Sequence, residues 1–196
     1  PDYDEVYKED IVYTFDTDFD TWTPSQYVIY LPSVYNDPGN WYELIDGHVE
    51  FIRGSYYGGG SLSKTFNDLY DLPGAVLSFD WGYKIKDYWE TFGFYGNNMM
   101  VVSIVYEDGT RSEHWLGAHN YMVPVGNIWH WCIGTEIPMS GSRKRITRIV
   151  FDFGIFGTVA GCNRAGIDNI KLTGFSGVIN ENNFVDSERK LGLEIK

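Results

Sequence analysis

The stretch AVLSFDWGYKI, residues 75–85, decides the fold class of this 196-residue chain. Leu77 and Phe79 fall on one side of an alternating pattern, and Asp80 and Lys84 fall on the other. Side chains of a β-strand point alternately to opposite faces, so the pattern predicts a strand with one face in a core and one polar face.

Similar runs recur along the chain, and Gly, Pro, Asn and Asp separate them. Such runs are typical of strands joined by turns. The other predicted strands are 10–16, 41–53, 60–66, 99–107, 111–117, 129–137, 145–154 and 166–173. A short helix over 62–72 is the alternative to a strand there, and Asp46-Gly47 and Asp108-Gly109 predict hairpin turns. The sequence therefore predicts an all-β fold, a jelly-roll β-sandwich of two antiparallel sheets.

The predicted strand 145–154 has the same two-faced character. Ile149 and Phe151 face the core, whereas Arg148 and Asp152 face outward. If the polar faces of this strand and of 75–85 belong to one sheet, they form a single polar surface. That surface would contain Asp80, Lys84, Arg148 and Asp152. The alternative is that these charges are the ordinary solvated side of an antiparallel sheet.

The predicted strand 129–137 carries two tryptophans. Unbroken alternation places Trp129 and Trp131 on the core face and His130 and Cys132 on the opposite face. We therefore expect both indole rings in the core. Cys132 and Cys162 are the two cysteines, and they form either a disulfide or two buried thiols.

The net charge of −12 is distributed unevenly. Residues 1–52 contain one base and 12 acids, a net charge of −11, whereas residues 53–196 have a net charge of −1. The chain lacks the basic surface that binding to nucleic acid or to an anionic membrane requires. The local acidity serves either solubility or a hard cation such as Ca²⁺.

Three carboxylates alternate in the segment DTDFD, residues 16–20. The spacing matches the opening of an EF-hand loop, but Thr21 and Tyr27 stand where that loop needs Gly and Glu. The segment therefore departs from the EF-hand pattern at two required positions. Two interpretations are left: a calcium site of different geometry, or a turn in which Asp side chains cap backbone N–H groups.

Several aromatic residues fall where alternation does not assign them to a core. They include Tyr56, Tyr57, Tyr88, Trp89, Trp115 and Tyr121. A planar ring stacks on the C–H face of a pyranose, and nearby polar groups hydrogen-bond its hydroxyls. The collection indicates a sugar site, while ordinary packing is the alternative for each ring taken singly.

Short motifs near both ends resemble jelly-roll carbohydrate-binding modules. The phrase AGIDNIKL, residues 165–172, is similar to the last strand of many such modules. The segment YTFD, residues 13–16, followed by Trp22, resembles their first strand. WHWC at 129–132 and ITRI at 146–149 resemble the paired strands before the last one. The resemblance covers roughly residues 10–174.

The resemblance implies a calcium site and two possible sugar sites. In such modules a structural Ca²⁺ joins the first strand to the last, and the matching positions here are Asp16, Asp18 and Asp168. Sugar binds there either on the concave sheet or at the loop tips. The concave site would use Asp80, Lys84, Trp115, Arg148 and Asp152. The loop site would use Tyr56, Tyr57 and Trp89.

The predicted function is non-catalytic binding of a polysaccharide or oligosaccharide. Residues 1–174 would be a monomeric module of a larger secreted or cell-surface protein, and it would hold a glycan-degrading enzyme on its substrate. Residues 175–196 would be a polar extension or linker. The chain opens Pro1-Asp2-Tyr3, which is typical of a processed or trimmed sequence.

Two other functions are the alternatives. One is a small sandwich lyase or hydrolase, in which Tyr83 or His130 acts as a base and Arg148 neutralises a uronate. No Walker A, HExxH or GxSxG motif occurs to support other chemistries. The second alternative is a structural or adhesive domain of a large surface protein.

Overall fold

A computed structural model describes residues 10–28, 42–52, 58–84, 98–117, 128–153 and 164–175. Within those ranges the chain forms strands and turns and no helix, so no helix there is long and apolar enough to cross a membrane. The strands are β1 (Ile11–Tyr13), β2 (Thr23–Val28), β3 (Tyr42–Ile45), β4 (His48–Ile52), β5 (Gly58–Tyr70), β6 (Val76–Lys84), β7 (Asn98–Tyr106), β8 (Arg111–Gly117), β9 (Trp129–Pro138), β10 (Arg145–Phe153) and β11 (Arg164–Thr173).

The strands form two antiparallel sheets. The six-stranded sheet has the order β3-β4-β11-β6-β9, and β1 also pairs with β11. The five-stranded sheet has the order β2-β5-β10-β7-β8. From β4 to β7, and again from β8 to β11, consecutive strands belong to alternate sheets. The predicted all-β fold of two antiparallel sheets is confirmed.

The two sheets pack face to face through aromatic rings. The ring centroids of Phe79 on β6 and Phe151 on β10 lie 4.9 Å apart in a T-shaped arrangement. Those of Phe51 on β4 and Phe153 on β10 lie 5.2 Å apart. Each pair joins one sheet to the other, and aromatic contacts of this kind add to the energy of apolar burial. The core of the sandwich therefore lies between the sheets, and each sheet has an outer face that points away from it.

Both predicted hairpin turns are present. Asp46 and Gly47 have φ values of 50° and 76°, and they join β3 to β4. A two-residue turn with positive φ at both positions matches the right-handed twist of the strands. At the other hairpin, Gly109 has a φ of 79° and its N–H donates to the carbonyl of Tyr106.

Two strands differ from the sequence-based expectation. β5 runs from Gly58 to Tyr70, so the strand predicted at 60–66 is confirmed and extended, and the helical alternative over 62–72 is wrong. β2 was not predicted, because Pro24 lies within it and proline cannot donate to a sheet. β2 is an edge strand that pairs with β5 alone, and an edge position tolerates the missing donor.

Phe175 lies at the end of the predicted module. Its side chain is buried as part of the core, so the sandwich includes this first residue of the predicted extension. The remainder of that extension, 176–196, lies outside the described residues. Cys162 lies outside them as well, whereas Cys132 packs half-buried against the core.

Candidate functional site

The five residues predicted for a concave site are divided between the two sheets. Asp80 and Lys84 lie on β6 of the six-stranded sheet, whereas Trp115, Arg148 and Asp152 lie on β8 and β10 of the five-stranded sheet. All five occupy outer-face positions, and the outer faces of a sandwich point in opposite directions. The expectation of one shared surface is therefore wrong. Tyr56, Tyr57 and Trp89 lie outside the described residues.

Trp115 and Asp152 share the outer face of the five-stranded sheet. Val101 on β7 stands opposite both of them in the strand register, and Ser61 on β5 stands opposite Asp152. Directly opposed residues of neighbouring strands project to the same face. The four side chains therefore form one row that crosses the sheet.

Trp115 is the most accessible ring of this surface. Its side chain is 46% exposed, and every other aromatic side chain that the structure describes is buried or half-buried. A single exposed apolar side chain is common on protein surfaces, so Trp115 is a candidate ligand contact because of the polar groups that share its face.

Arg148 adds a cation to the same face. Its Nη2 donates to Oγ of Ser63 at 2.9 Å, and the side chain is exposed. Arg111 on β8 stands in the same row as Arg148, since both are opposite Val105, and its Nε lies 2.9 Å from Oε1 of Glu113. We name the outer-face set Ser61, Ser63, Trp115, Arg148 and Asp152 the Trp115 surface. It combines an exposed ring with hydroxyl, guanidinium and carboxylate groups, which are the groups that bind sugar hydroxyls.

The tryptophans of β9 face the opposite way from the sequence-based expectation. Trp131 stands opposite Gly82 on the outer face of the six-stranded sheet, whereas Cys132 stands opposite the buried Trp81. Trp129 likewise stands opposite Lys84. The prediction of both indole rings in the core is therefore wrong.

A β-bulge causes this reversal. The register between β6 and β9 shifts after Phe79, at the point where Gly134 has a φ of 65°. A bulge adds one residue to one strand, and a one-residue slip exchanges the two faces. Beyond the bulge Ile137 is buried, as alternation predicts. Nothing in the alternation of 129–137 marks the bulge except the glycine itself.

The two indole rings lie together on this outer face. The ring centroids of Trp129 and Trp131 are 5.3 Å apart, with 25° between the planes. A Cβ atom on Gly82 or on Gly166 would lie 2.8 Å from the Trp131 ring. The edge of His48 meets both rings, at centroid distances of 5.7 and 5.1 Å. We name these five residues the tryptophan platform.

A buried carboxylate borders the tryptophan platform. Oε1 of Glu50 accepts a hydrogen bond from Nη1 of Arg164 at 2.5 Å, and its Oε2 lies 3.4 Å from Nε2 of His48. Burial alone would raise the pKa of Glu50, but the contacts with His48 and Arg164 outweigh it and the pKa is lowered. Glu50 therefore stays ionised and holds both partners in place.

The acidic loop is a turn capped by its own carboxylates. Oδ1 of Asp18 accepts from the N–H of Asp20 at 2.7 Å, and Oδ2 of Asp20 accepts from the N–H groups of Thr14 and Phe15. Oδ2 of Asp16 accepts from the Thr14 hydroxyl at 2.8 Å. These are the bonds of a turn in which Asp side chains cap backbone N–H groups, as one of the two interpretations of the segment predicts.

Asp16 and Asp168 lie close enough for their negative charges to interact. Burial, followed by the negative charges of Asp80 and Asp16, raises the pKa of Asp168. Within the described part of the chain, no three His, Cys, Asp or Glu side chains converge as a metal site. Asp16 and Asp168 fit a calcium ion as hard oxygen donors, whereas Asp18 is bonded to the backbone of its own turn.

The base and the arginine suggested for lyase chemistry do not lie at one site. Tyr83 is buried in the core, and His130 stands opposite it on β9. Arg148 lies on the outer face of the other sheet, with its guanidinium on Ser63. A base and a carboxylate-neutralising group must flank the same substrate, and these three side chains cannot do so.

Comparison with known proteins finds similarity only among solved structures. No protein-family model matches the chain, and no curated protein matches it. A carbohydrate-binding module for specific mannan recognition, TmCBM27, is 10% identical, with 88% of this chain and 98% of that chain covered and a TM-score of 0.42. A family 11 module from a cellulosomal cellulase of Clostridium thermocellum is 14% identical, with 88% and 91% covered and a TM-score of 0.33.

A bacteriophage protein is similar over part of its length. The enzymatically active domain of tailspike protein 4 from bacteriophage CBA120 is 14% identical, with a TM-score of 0.44. The alignment covers 82% of this chain and 20% of that chain. Identities and TM-scores this low assign neither a ligand nor an activity to this chain. The β-sandwich rests on the strand pairing described above.

Proposed function

We propose that this chain binds a polysaccharide or oligosaccharide without catalysis, on the Trp115 surface. The observation that carries the proposal is the exposed Trp115 ring in one row with Asp152 and Ser61. The indole ring stacks on the C–H face of a pyranose, while Asp152, Arg148 and the Ser61 hydroxyl bind its hydroxyl groups.

The proposal includes a role in a larger protein. A module that holds one end of a chain on a glycan raises the local concentration of any attached catalytic domain. We propose a secreted or cell-surface glycan-degrading enzyme as that parent. An adhesive domain would need no aromatic contact on its sheet faces, so the exposed Trp115 ring favours sugar binding over that alternative.

Replacement of Trp115 by alanine tests the site. We expect Trp115→Ala to weaken glycan binding at least about tenfold, because removing a central stacking ring costs about 1.4 kcal/mol or more. Affinity electrophoresis against β-glucans, xylans, mannans and pectins measures the change. The matched control is Val12→Ala, which removes an exposed apolar side chain on β1 of the other sheet. If the folded wild-type chain is retarded by none of these glycans, or if Trp115→Ala binds as wild type does, the proposal is wrong.

We also propose that a structural Ca²⁺ joins the acidic loop to β11 through Asp16 and Asp168, which Asp18 would join only by giving up its hydrogen bond with the Asp20 N–H. Support comes from the closeness of these carboxylates, since the negative charges of Asp80 and Asp16, after burial, raise the pKa of Asp168, and such carboxylates gain from a divalent cation. We expect saturating Ca²⁺ to raise the melting temperature of the EDTA-treated protein, and Asp168→Asn to abolish the increase. Identical melting curves with EDTA and with Ca²⁺ would exclude the ion.

A further inference from the structure

The tryptophan platform occupies the face of the sandwich opposite the Trp115 surface, and its floor is specifically shaped. Gly82 on β6 and Gly166 on β11 stand directly opposite each other in the register. Glycine inside a strand costs stability, and its usual reason is the close approach of another group. Here that group is the Trp131 ring, which crosses both strands. The fold therefore holds this ring flat on the outside of the sheet.

Two cations extend the platform in the next row of side chains. Arg164 on β11, Lys84 on β6 and Trp129 on β9 are opposed in register across three neighbouring strands. Residues opposed in this way lie side by side on one face. The row thus presents two positive groups beside an aromatic ring.

The positive charge of this row is only partly neutralised. Glu50 is buried, and its carboxylate bonds to Arg164. In the described ranges no carboxylate lies within ion-pair distance of Lys84. The Arg164 side chain is 36% exposed, so its guanidinium is accessible beside the carboxylate that orients it. Glu50 compensates one of the two positive charges, so the row keeps a net charge of +1 next to the stacked indole rings, and Asp80 and Asp168 lie two rows away on the same face.

We propose that the tryptophan platform, extended by Lys84 and Arg164, is a second ligand site that binds an acidic saccharide. The pyranose ring of a uronate stacks on Trp129, and its carboxylate pairs with Lys84 and Arg164. A flat ring with an adjacent anion matches an aromatic surface with adjacent cations, and a planar guanidinium binds carboxylate in a fixed geometry. The site lies on the other sheet from the Trp115 surface and does not depend on it.

The test compares polygalacturonate with the same polymer after full methyl esterification, which removes the charge and keeps the sugar backbone. We expect wild type to be retarded more strongly by the free acid, and the difference to shrink as salt is added. We expect Trp129→Ala and Lys84→Gln each to weaken binding of the free acid by about tenfold. Lys171→Gln is the matched control, since that cation of the same sheet already pairs with Asp10 at 2.7 Å.

Several results would overturn the second site. They are equal retardation by the acid and the ester, no retardation by the acid, and free-acid binding that Lys84→Gln leaves unchanged. Melting curves will show whether Trp129→Ala is folded. Lys84→Gln changes one surface side chain, so it tests the site even if Trp129→Ala unfolds. Loss of free-acid binding in Trp115→Ala but not in Trp129→Ala would assign the acid to the Trp115 surface. Failure of neutral-glycan binding alone would overturn only the first proposal.

Discussion

Replacement of Asp71 by alanine is expected to lower the free energy of unfolding by about 3–4 kcal/mol. Asp71 follows β5 and is fully buried. Its carboxylate accepts hydrogen bonds from the Tyr106 hydroxyl at 3.0 Å, the Ser140 and Ser142 hydroxyls at 2.5 and 2.8 Å, and the Gly141 N–H at 2.8 Å. Each donor that loses a charged acceptor inside the protein leaves part of its hydrogen-bonding capacity unused.

The backbone of Asp71 also bonds to the connection between β9 and β10. Its N–H donates to the carbonyl of Lys144, and its carbonyl accepts from the N–H of Arg143. The residue therefore ties the connection between β9 and β10 to the end of β5. Urea unfolding measures the loss, with Asp68→Ala as the matched control, because Asp68 is an exposed carboxylate three residues away. A loss of less than about 1 kcal/mol for Asp71→Ala would contradict the assignment.

The contribution of Asp71 depends on pH in a definite direction. Burial would raise the pKa of its carboxyl, but the four accepted hydrogen bonds outweigh burial and hold the pKa below its usual 3.8. A group whose pKa is lower in the folded than in the unfolded protein stabilises the fold fully at pH values above its unfolded-state pKa. This stabilisation is lost as the pH falls through its folded-state pKa. The stability difference between wild type and Asp71→Asn should therefore be constant at neutral pH and shrink below about pH 4. A difference that grows toward acid would contradict the sign.

Replacement of Asp80 by alanine is expected to cost about 2–3 kcal/mol and to disturb the outer face of its sheet. Oδ1 of Asp80 accepts from the Gly134 N–H at 2.6 Å, and Oδ2 accepts from Nδ2 of Asn169 at 2.8 Å. Gly134 and Asn169 both have positive φ, at 65° and 49°. One carboxylate thus holds a left-handed residue on each neighbouring strand, and each of these residues lies at a register shift, Gly134 at the bulge of β9 and Asn169 at the shift between β11 and β6.

The effect on the tryptophans separates this role from a general loss of stability. Because the bulge turns Trp129 and Trp131 outward, loosening it should shift the tryptophan emission maximum of the still-folded variant. Asp68→Ala should shift neither the emission nor the stability by a measurable amount. Unchanged emission in folded Asp80→Ala would show that Gly134 keeps the bulge without the carboxylate.

Local patterns predicted the core-facing side chains of those strand segments that keep one register. Ile149, Phe151 and Phe153 are all fully buried, as alternation along 145–154 required. The Asp46-Gly47 turn formed for the same reason, since its positive φ values depend on two adjacent residues. Such features depend on residues that are close in the chain, so they are visible in the sequence.

The predicted site failed where it depended on pairing between distant strands. Alternation correctly gave Asp80 and Arg148 outward positions, but nothing in the chain order shows that β6 and β10 belong to different sheets. The tryptophan platform was missed because His48, Gly82, Gly166 and the two indoles come from four strands. The sequence signal that could have indicated it was glycine at outward positions of two central strands, Gly82 and Gly166, where a ring can lie against the backbone.

The sequence by itself determined the all-β class, the hairpin turns and the core faces of β6 and β10, because an alternation of period two and a two-residue turn are local properties. Only the tertiary structure decided which sheet each strand joined and which way the first half of β9 faces. That facing depends on a bulge whose Gly134 N–H bonds to a carboxylate 54 residues away. The divided polar surface and the outward tryptophans follow from those long-range contacts.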